Sequence, residues 1–342
     1  VPLASSESRV NYGPLQQFLS WWFVFLCYPL HWIIASILLT VILLCYSART
    51  RIFMILYLFV CFIIDKHRGD GKGWYLDWEL LKVWNKRRHI WKVCTSYYPM
   101  KLYKTAELSG EDGRQYMFVT HPHGVSGVTT QGSMATFACG LDELYPWSIA
   151  SRIRIIGLDV MFRIPFFREY VIAVGCASSS KDSFRRIFKR GEHVCLNVGG
   201  AAEALVETEA KSSEMRCILK ERKGFVKIAL QHGATLVPCV AYEENSSYNI
   251  LQFEEGSFMR KLQYLLQKKL RFSLPFFWGN MVPTQPLRKD LSMYVGGGLD
   301  CERIESPTQE DIDRKHAEYC KALETLFDDY KEHAGHSPYS ES

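Results

Sequence analysis

Apolar and polar positions are shared unevenly along this chain, and the imbalance falls near its start. From Phe18 to Ala48 there is no Asp, Glu, Lys or Arg; Arg49 and Arg51 interrupt, and a second apolar run extends from Ile52 to Ile64. A bilayer span takes about 20 apolar residues, so the first run is long enough and the second is short. The pattern predicts a membrane-embedded hairpin, kinked around Pro29 and His31, with Arg49 and Arg51 snorkelling to an interface or seated in a partly inserted tip. A single span and a removed signal peptide are the alternatives. The signal peptide fits poorly, because Arg9 is the only basic residue ahead of an apolar stretch far longer than a signal core. Residues 1–66 are therefore read as a tail with the hairpin, and residues 67–342 as a domain facing the cytosol. That orientation rests on Lys66, Arg68, Lys72, Lys82, Lys86, Arg87 and Arg88, which crowd the end of the last apolar run. Trp74, Trp78, Trp84 and Trp91 suit either a headgroup layer or a core. Val1 stands where an initiator Met would, which leaves the true start open.

Beyond residue 115 short β-branched runs alternate with stretches of helical period. The pattern predicts strands over 116–120, 171–174, 193–198 and 235–241, and helices over 132–138, 181–189 and 222–231. Such alternation argues for an α/β fold, a sheet with helices on its faces. Near the end, Ser306, Pro307 and Gln309 read as a capping box with proline in the first helical position. The helix that follows places Ile312, Tyr319, Cys320, Leu323, Leu326, Phe327 and Tyr330 on one stripe. No internal repeat or low-complexity segment is visible.

Composition changes this picture little. The 342 residues are 48% apolar, a figure that would suit a soluble globule had the apolar residues not gathered before residue 65. A net charge of +5 is too weak at this length to imply a nucleic-acid binder, while anionic ligands and lipid surfaces remain compatible. Eleven cysteines occur without a CxxC pair or metal spacing, which favours a reducing compartment. The sequon at Asn245 carries little weight, since such triplets are common by chance.

The residues that suggest chemistry are His121, Pro122, His123 and Gly124, directly after the apolar run Tyr116 to Val119. Imidazole, with an ordinary pKa of about 6.5, takes up and returns a proton at neutral pH. Proline fixes one φ and glycine tolerates a turn, so a defined loop is expected at the strand's end. Packed or solvated loop histidines are an equally ready reading. A metal pair is a third, though no nearby side chain completes a shell.

A second candidate is the segment Val198, Gly199, Gly200, Ala201, Ala202, Glu203, where small residues after a strand precede a carboxylate. A plain glycine turn would explain it; alternatively its amides could receive an oxyanion and Glu203 could orient an imidazolium. It is not a P-loop, lacking GKS or GKT. A third is the basic helix start at Lys220, Arg222, Lys223 and Lys227. Cations there oppose the helix dipole, so either the face is simply solvated or an anionic ligand compensates.

Taken in order, these segments resemble the type 2 diacylglycerol acyltransferase family, with its monoacylglycerol and wax alcohol acyltransferases. The resemblance runs through Ser96 to Thr105, HPHG at His121 to Gly124, IPFFREY at Ile164 to Tyr170, VGGAAEAL at Val198 to Leu205, Arg222 to Pro238, and Pro307 to Asp313. HPHG alone is weak, whereas the ordered set is specific and covers nearly the whole chain. Departures occur at Ala241, Tyr242 and Glu243 in place of FGE, at Phe277 to Asn280, and at Gly296 to Gly298 in place of GEP. They bear on substrate choice more than on the reaction.

The resemblance implies a glycerolipid-acyltransferase-like sheet behind the hairpin and direct acyl transfer from acyl-CoA to a diacylglycerol. It implies His121 or His123 as general base, Glu203 as the carboxylate that orients it, and Gly124, Gly199 and Gly200 as oxyanion or motif glycines. Related glycerolipid acyltransferases use HxxxxD, but five residues on from His121 and His123 stand Ser126 and Val128, which leaves Glu203 to supply the carboxylate. Arg222, Lys223 and Lys227 are expected to meet CoA phosphates, and Arg168, Glu169 and Tyr170 to form a structural or substrate-site motif. No metal and no cofactor are expected, acyl-CoA being a substrate. The expected partners are acyl-CoA, a diacylglycerol or related acceptor and membrane lipid, with homo-oligomers left open and no nucleic acid. The expected location is the endoplasmic reticulum membrane, with lipid droplets as a second site. Monoacylglycerol or a fatty alcohol is the alternative acceptor, and an inactive lipid-droplet anchoring homologue the alternative class.

Overall fold

The computed structural model describes residues 1–7, 29–65, 69–71, 78–87, 89–110, 113–200, 203, 217–254, 256–270, 276–280 and 285–335. Its centre is an eight-stranded sheet in the order β1-β2-β10-β7-β3-β6-β4-β5. The strands are β1 (Ala4–Glu7), β2 (Lys101–Lys104), β3 (Tyr116–His121), β4 (Ile153–Gly157), β5 (Cys176–Ser178), β6 (His193–Asn197), β7 (Thr235–Tyr242) and β10 (Ser292–Val295). From β7 to β5 all neighbours are parallel, while β10 runs antiparallel to β7 and β1 antiparallel to β2. A separate two-stranded ribbon joins β8 (Asn249–Ile250) to β9 (Phe277–Trp278).

The central strands are buried on both faces, as a parallel sheet covered by helices requires. On one face Tyr116 and Phe118 of β3 join Val237, Cys239 and Ala241 of β7 in a core with Met100, Met134 and Leu141. On the other, Met117 and Val119 join Leu236, Val240 and Tyr242 beneath three helices. Those helices are α6 (Lys181–Lys189), α7 (Gly224–His232) and α9 (Gln309–Tyr330). The remaining helices of eight residues or more are α1 (Pro29–Tyr46), α2 (Ala48–Phe59), α3 (Trp78–Lys86), α4 (His89–Ser96) and α8 (Phe258–Leu270); α5 (Phe167–Ala173) is shorter.

Five sequence expectations match closely: the strands at 116–120, 193–198 and 235–241, and the helices at 181–189 and 222–231 between them. Others are corrected. Of residues 171–174, read as a strand, the first three lie in α5 and Val174 caps it, because Phe167, Arg168, Val171 and Ile172 bury one helical face against Phe162. The helix expected over 132–138 is a short turn at Val128–Thr130 continued by a π-turn at Gln131–Ala135. The last helix starts two residues later than expected. Thr308, not Ser306, is its cap, its side chain and that of Asp311 bonding each other's backbone N–H reciprocally.

The membrane hairpin needs the largest correction. Among the described residues no helix is long and apolar enough to cross a membrane. The run breaks at Ser47, whose extended backbone and capping box with Thr50 end α1 and start α2. At 1.5 Å per residue the described part of α1 is about 27 Å long, and α2, which a π-turn at Val60–Ile64 continues, about 18 Å, against about 30 Å of hydrocarbon. The part of the first run before Pro29 lies outside the described residues.

Candidate active site

Strands β3, β6 and β7 are adjacent and parallel, so the loops after them leave at one end of the sheet. This is where open α/β sheets place their ligand sites. The loop after β3 carries HPHG, that after β6 carries Gly199, Gly200 and Glu203, and that after β7 carries Glu244.

His121 is the last residue of β3 and fully buried. The pleat points it to the same side as Met117 and Val119, toward α9. There its Nε2 lies 3.1 Å from the Tyr319 hydroxyl, which donates to the Val119 carbonyl at 3.2 Å. With its proton spent on Val119, that hydroxyl accepts from His121, which places the ring proton on Nε2. Among the described residues Nδ1 has no hydrogen-bond partner. Burial drives the His121 pKa down to about 3, so the ring is neutral throughout the physiological range.

His123 is arranged differently. It is half-buried, and its Nδ1 lies 2.8 Å from the Gly124 carbonyl. A carbonyl only accepts, so Nδ1 carries the proton and Nε2 keeps its lone pair. Burial lowers this pKa as well, partly opposed by the bond to Gly124. The free imidazole is therefore the form held at neutral pH, with one nitrogen fixed and the other open.

Two carboxylates stake the loop. Glu203, buried, accepts the His123 backbone N–H at 2.6 Å and the Ile218 N–H at 2.7 Å. Glu244, buried, accepts from the backbones of Val128 at 2.9 Å and Thr129 at 2.7 Å. Burial pushes both pKa values up, while these N–H bonds pull them back. The glycines follow from this packing. A Cβ on Gly124, which has φ +59°, would lie 2.8 Å from Glu244 Cγ, and one on Gly199 would lie 1.7 Å from Glu203 Cδ. Only glycine lets the two carboxylates close over the loops.

The structure thus brings His121, His123, Gly124, Gly199, Gly200 and Glu203 together, with Glu203 holding loop backbone rather than the His123 ring. A His121 ring nitrogen, the Glu203 carboxylate and the Cys217 thiol lie within 4.8 Å of one another, the one set of potential metal ligands among the described residues. It falls short of the four donors of a structural zinc site, and burial pushes the Cys217 thiol up to about 12.

Arg222 and Lys227 are exposed at the start of α7, whose first turn has no side-chain cap. Lys223 is occupied, paired with Asp313 of α9 at 2.7 Å. Arg168, Glu169 and Tyr170 form a structural junction. Buried Arg168 pairs with Asp65 and, at 2.8 Å, with Glu169; Glu169 accepts from the Tyr57 hydroxyl at 2.6 Å; Tyr170 stacks on Trp32 at 5.3 Å. The motif clasps both apolar helices to α5.

Sequence reasoning missed Tyr319 as a partner of His121 and Glu244 as the second stake. Tyr319 was legible only as part of a buried stripe. Glu244 carried no signal, and its neighbour Glu243 bonds Ser246 instead.

An imidazole with one nitrogen engaged and the other without a partner among the described residues, at the carboxyl end of parallel strands and in a loop staked by buried carboxylates, defines an α/β enzyme equipped for proton transfer. Comparison with known proteins narrows the class to acyltransferases. A family model described as diacylglycerol acyltransferase matches residues 43–341. Diacylglycerol O-acyltransferase 2 of Danio rerio is 35% identical over 86% of this chain and 80% of its own. That of Xenopus tropicalis is 31% identical over 98% and 90%, and human 2-acylglycerol O-acyltransferase 1 is 32% identical over 88% and 90%. This chain belongs to the diacylglycerol acyltransferase family. The solved structure of the 1-acyl-sn-glycerophosphate acyltransferase PlsC from Thermotoga maritima covers 92% of this chain and 96% of its own at 9% identity, with a TM-score of 0.40, too low to bear on the site.

Proposed function

We propose that this chain transfers an acyl group from acyl-CoA to the free hydroxyl of a diacylglycerol, with His123 as the general base. The observation that carries the assignment is the bond from His123 Nδ1 to the Gly124 carbonyl, which leaves Nε2 unprotonated in a half-open position. Nε2 takes the hydroxyl proton as the alcohol oxygen bonds to the thioester carbon. The tetrahedral oxyanion meets backbone amides of the glycine turns at Gly124, Gly199 and Gly200. When the C–S bond breaks, the imidazolium returns its proton to the CoA sulfur. Glu203 and Glu244 are positioning residues that fix the loop, and the Glu203 charge lies beside the developing imidazolium. Arg222 and Lys227 face the CoA phosphates, with Lys223 held back by Asp313. Nothing in this sequence of steps calls for a metal or a cofactor.

The setting is a membrane. Ile34, Leu38, Ile42, Phe53 and Leu56 on α1 and α2 are all exposed, a surface that lipid covers more readily than water. The reading places these helices in the endoplasmic reticulum membrane with the catalytic domain in the cytosol, and allows passage to lipid droplets. A monoacylglycerol acceptor is the second reading, favoured by the similarity to 2-acylglycerol O-acyltransferases 1 and 3 at 32% identity. Purified protein given radiolabelled acyl-CoA and a panel of monoacylglycerols, diacylglycerols and fatty alcohols separates the two. Label entering chiefly triacylglycerol supports the first reading, label in diacylglycerol supports the second, and label in neither refutes both.

A further inference from the structure

His121 keeps a buried lone pair that the reaction does not use. The ring is fully buried at the end of β3, its Nε2–H goes to the Tyr319 hydroxyl, and its Nδ1 has no hydrogen-bond partner among the described residues. Buried polar atoms are nearly always partnered, so an idle one calls for an explanation. The surroundings of the ring supply it. A ring nitrogen of His121, a carboxylate oxygen of Glu203 and the Cys217 sulfur all lie within 4.8 Å of one another.

Three distant stretches of chain are fastened so that these atoms meet. Glu203, after β6, accepts the N–H of Ile218 at 2.7 Å and so holds the residue next to Cys217. The Leu219 carbonyl accepts from His316 Nε2 at 3.1 Å, which pins the same segment to α9. Three residues further along α9, Tyr319 holds the His121 ring. Each Glu203 oxygen accepts one backbone N–H and retains a second lone pair. Metal–ligand bonds of about 2.0–2.3 Å put tetrahedral donors about 3.5 Å apart, so the set closes on a cation with a shift of roughly an ångström. Cys217, half-buried and outside any helix or strand, is the member placed to make it.

The donors are one nitrogen, one oxygen and one sulfur. Magnesium and calcium take oxygen ligands, whereas imidazole and thiolate select zinc. As the cation binds, the S–H bond of Cys217 breaks, its proton leaves to solvent, and the sulfur's electron pair bonds the metal. Thiolate and carboxylate then balance the two positive charges, as a buried cation requires. Tyr319 fits the same scheme, since a histidine ligand ordinarily gives its other ring N–H to an acceptor. Three protein donors leave a fourth position for water, the make-up of an open site rather than a structural one. We infer that His121, Glu203 and Cys217 form an inhibitory site for zinc or a similar thiophilic divalent cation. Glu203 is the point of control, because it holds the His123 backbone and lends its charge to the imidazolium. A bound cation neutralises that charge and draws the carboxylate from the loop, so turnover falls although the metal takes no part in it. Binding rests on the geometry of the three donors, and the effect on rate rests on the reading of His123 as the base.

The test uses the full chain in detergent, stripped of metal by a chelator, with cobalt(II) as the spectroscopic probe. Cobalt should give the intense visible bands of a four-coordinate ion and a near-ultraviolet thiolate-to-cobalt charge-transfer band. Zinc should displace it, and magnesium should not. Cys217→Ser should lose the charge-transfer band and bind zinc at least about tenfold more weakly, while its metal-free acyl transfer matches the wild type. Zinc at one equivalent should remove most of the wild-type turnover, a chelator should restore it, and Cys217→Ser should resist the same dose. No charge-transfer band in the wild type, or an equal band in Cys217→Ser, would overturn the site. A band through Cys217 with an unchanged rate would overturn the inhibition. No acyl transfer by the metal-free wild type would refute the proposed function, and the band would still decide the site.

Discussion

Tyr319, on the last helix, and His121, at the end of a central strand, meet at 3.1 Å across 198 residues of chain. The contact fixes the His121 tautomer and ties α9 to the HPHG loop. In Tyr319→Phe the Nε2–H of His121 is left buried with no acceptor, and the Val119 carbonyl loses a donor. Each such group costs about 1–3 kcal/mol. The variant should melt at lower temperature than the wild type in the same detergent, and should lose less turnover than a variant lacking His123.

Acid sensitivity provides a second test of His121. Its pKa is about 3 when folded, against about 6.5 for histidine in an unfolded chain. The folded state therefore binds fewer protons, so the stability tied to the neutral ring is complete above the unfolded pKa. It is lost progressively as pH falls from about 6.5 toward 3. His121→Asn should flatten the dependence of melting temperature on pH within that window. An unaltered slope would mean that the ring titrates near its ordinary value.

Glu203 uses both carboxylate oxygens on backbone N–H groups, one of them that of His123. In Glu203→Gln one acceptor becomes an NH2 that opposes an N–H, and the charge beside the imidazolium is gone. The variant should stay folded and keep its KM for acyl-CoA while kcat falls. Steady-state kinetics at matched protein levels measures this, and an unchanged kcat would remove Glu203 from the loop's function.

For Arg222 and Lys227 the opposite split is expected. Replacing both with Gln should raise the KM for acyl-CoA, with an effect that shrinks as salt is added, and leave kcat nearly unchanged. Lys223→Gln should matter less, because Asp313 already holds that ammonium.

What the sequence revealed and what it concealed have separate physical causes. β3, β6 and β7 were legible because buried parallel strands are short apolar runs, and α6 because its polar and apolar residues divide cleanly. HPHG and the glycine turn were legible as local chemistry. The contacts that give them meaning were not, since Tyr319 and Glu244 lie more than a hundred residues from the loop they hold. The strand expected at 171–174 failed because tertiary packing around Arg168 outweighed β-branched propensity. Among the described residues the apolar helices stop short of a span, because Ser47 and Thr50 form a cap inside a stretch that hydropathy reads as nearly continuous.

The central claim is that His123 Nε2 takes the acceptor's proton, and the most direct measurement is the acyl transfer rate of His123→Ala from radiolabelled acyl-CoA to diacylglycerol. Folding and membrane content are matched to the wild type. Loss of a general base predicts a fall of at least ~100-fold, with the KM for acyl-CoA little changed. In the wild type the acid limb of the rate profile should lie below the ordinary histidine pKa, because burial favours the neutral ring. Turnover by His123→Ala close to the wild-type rate would contradict the account.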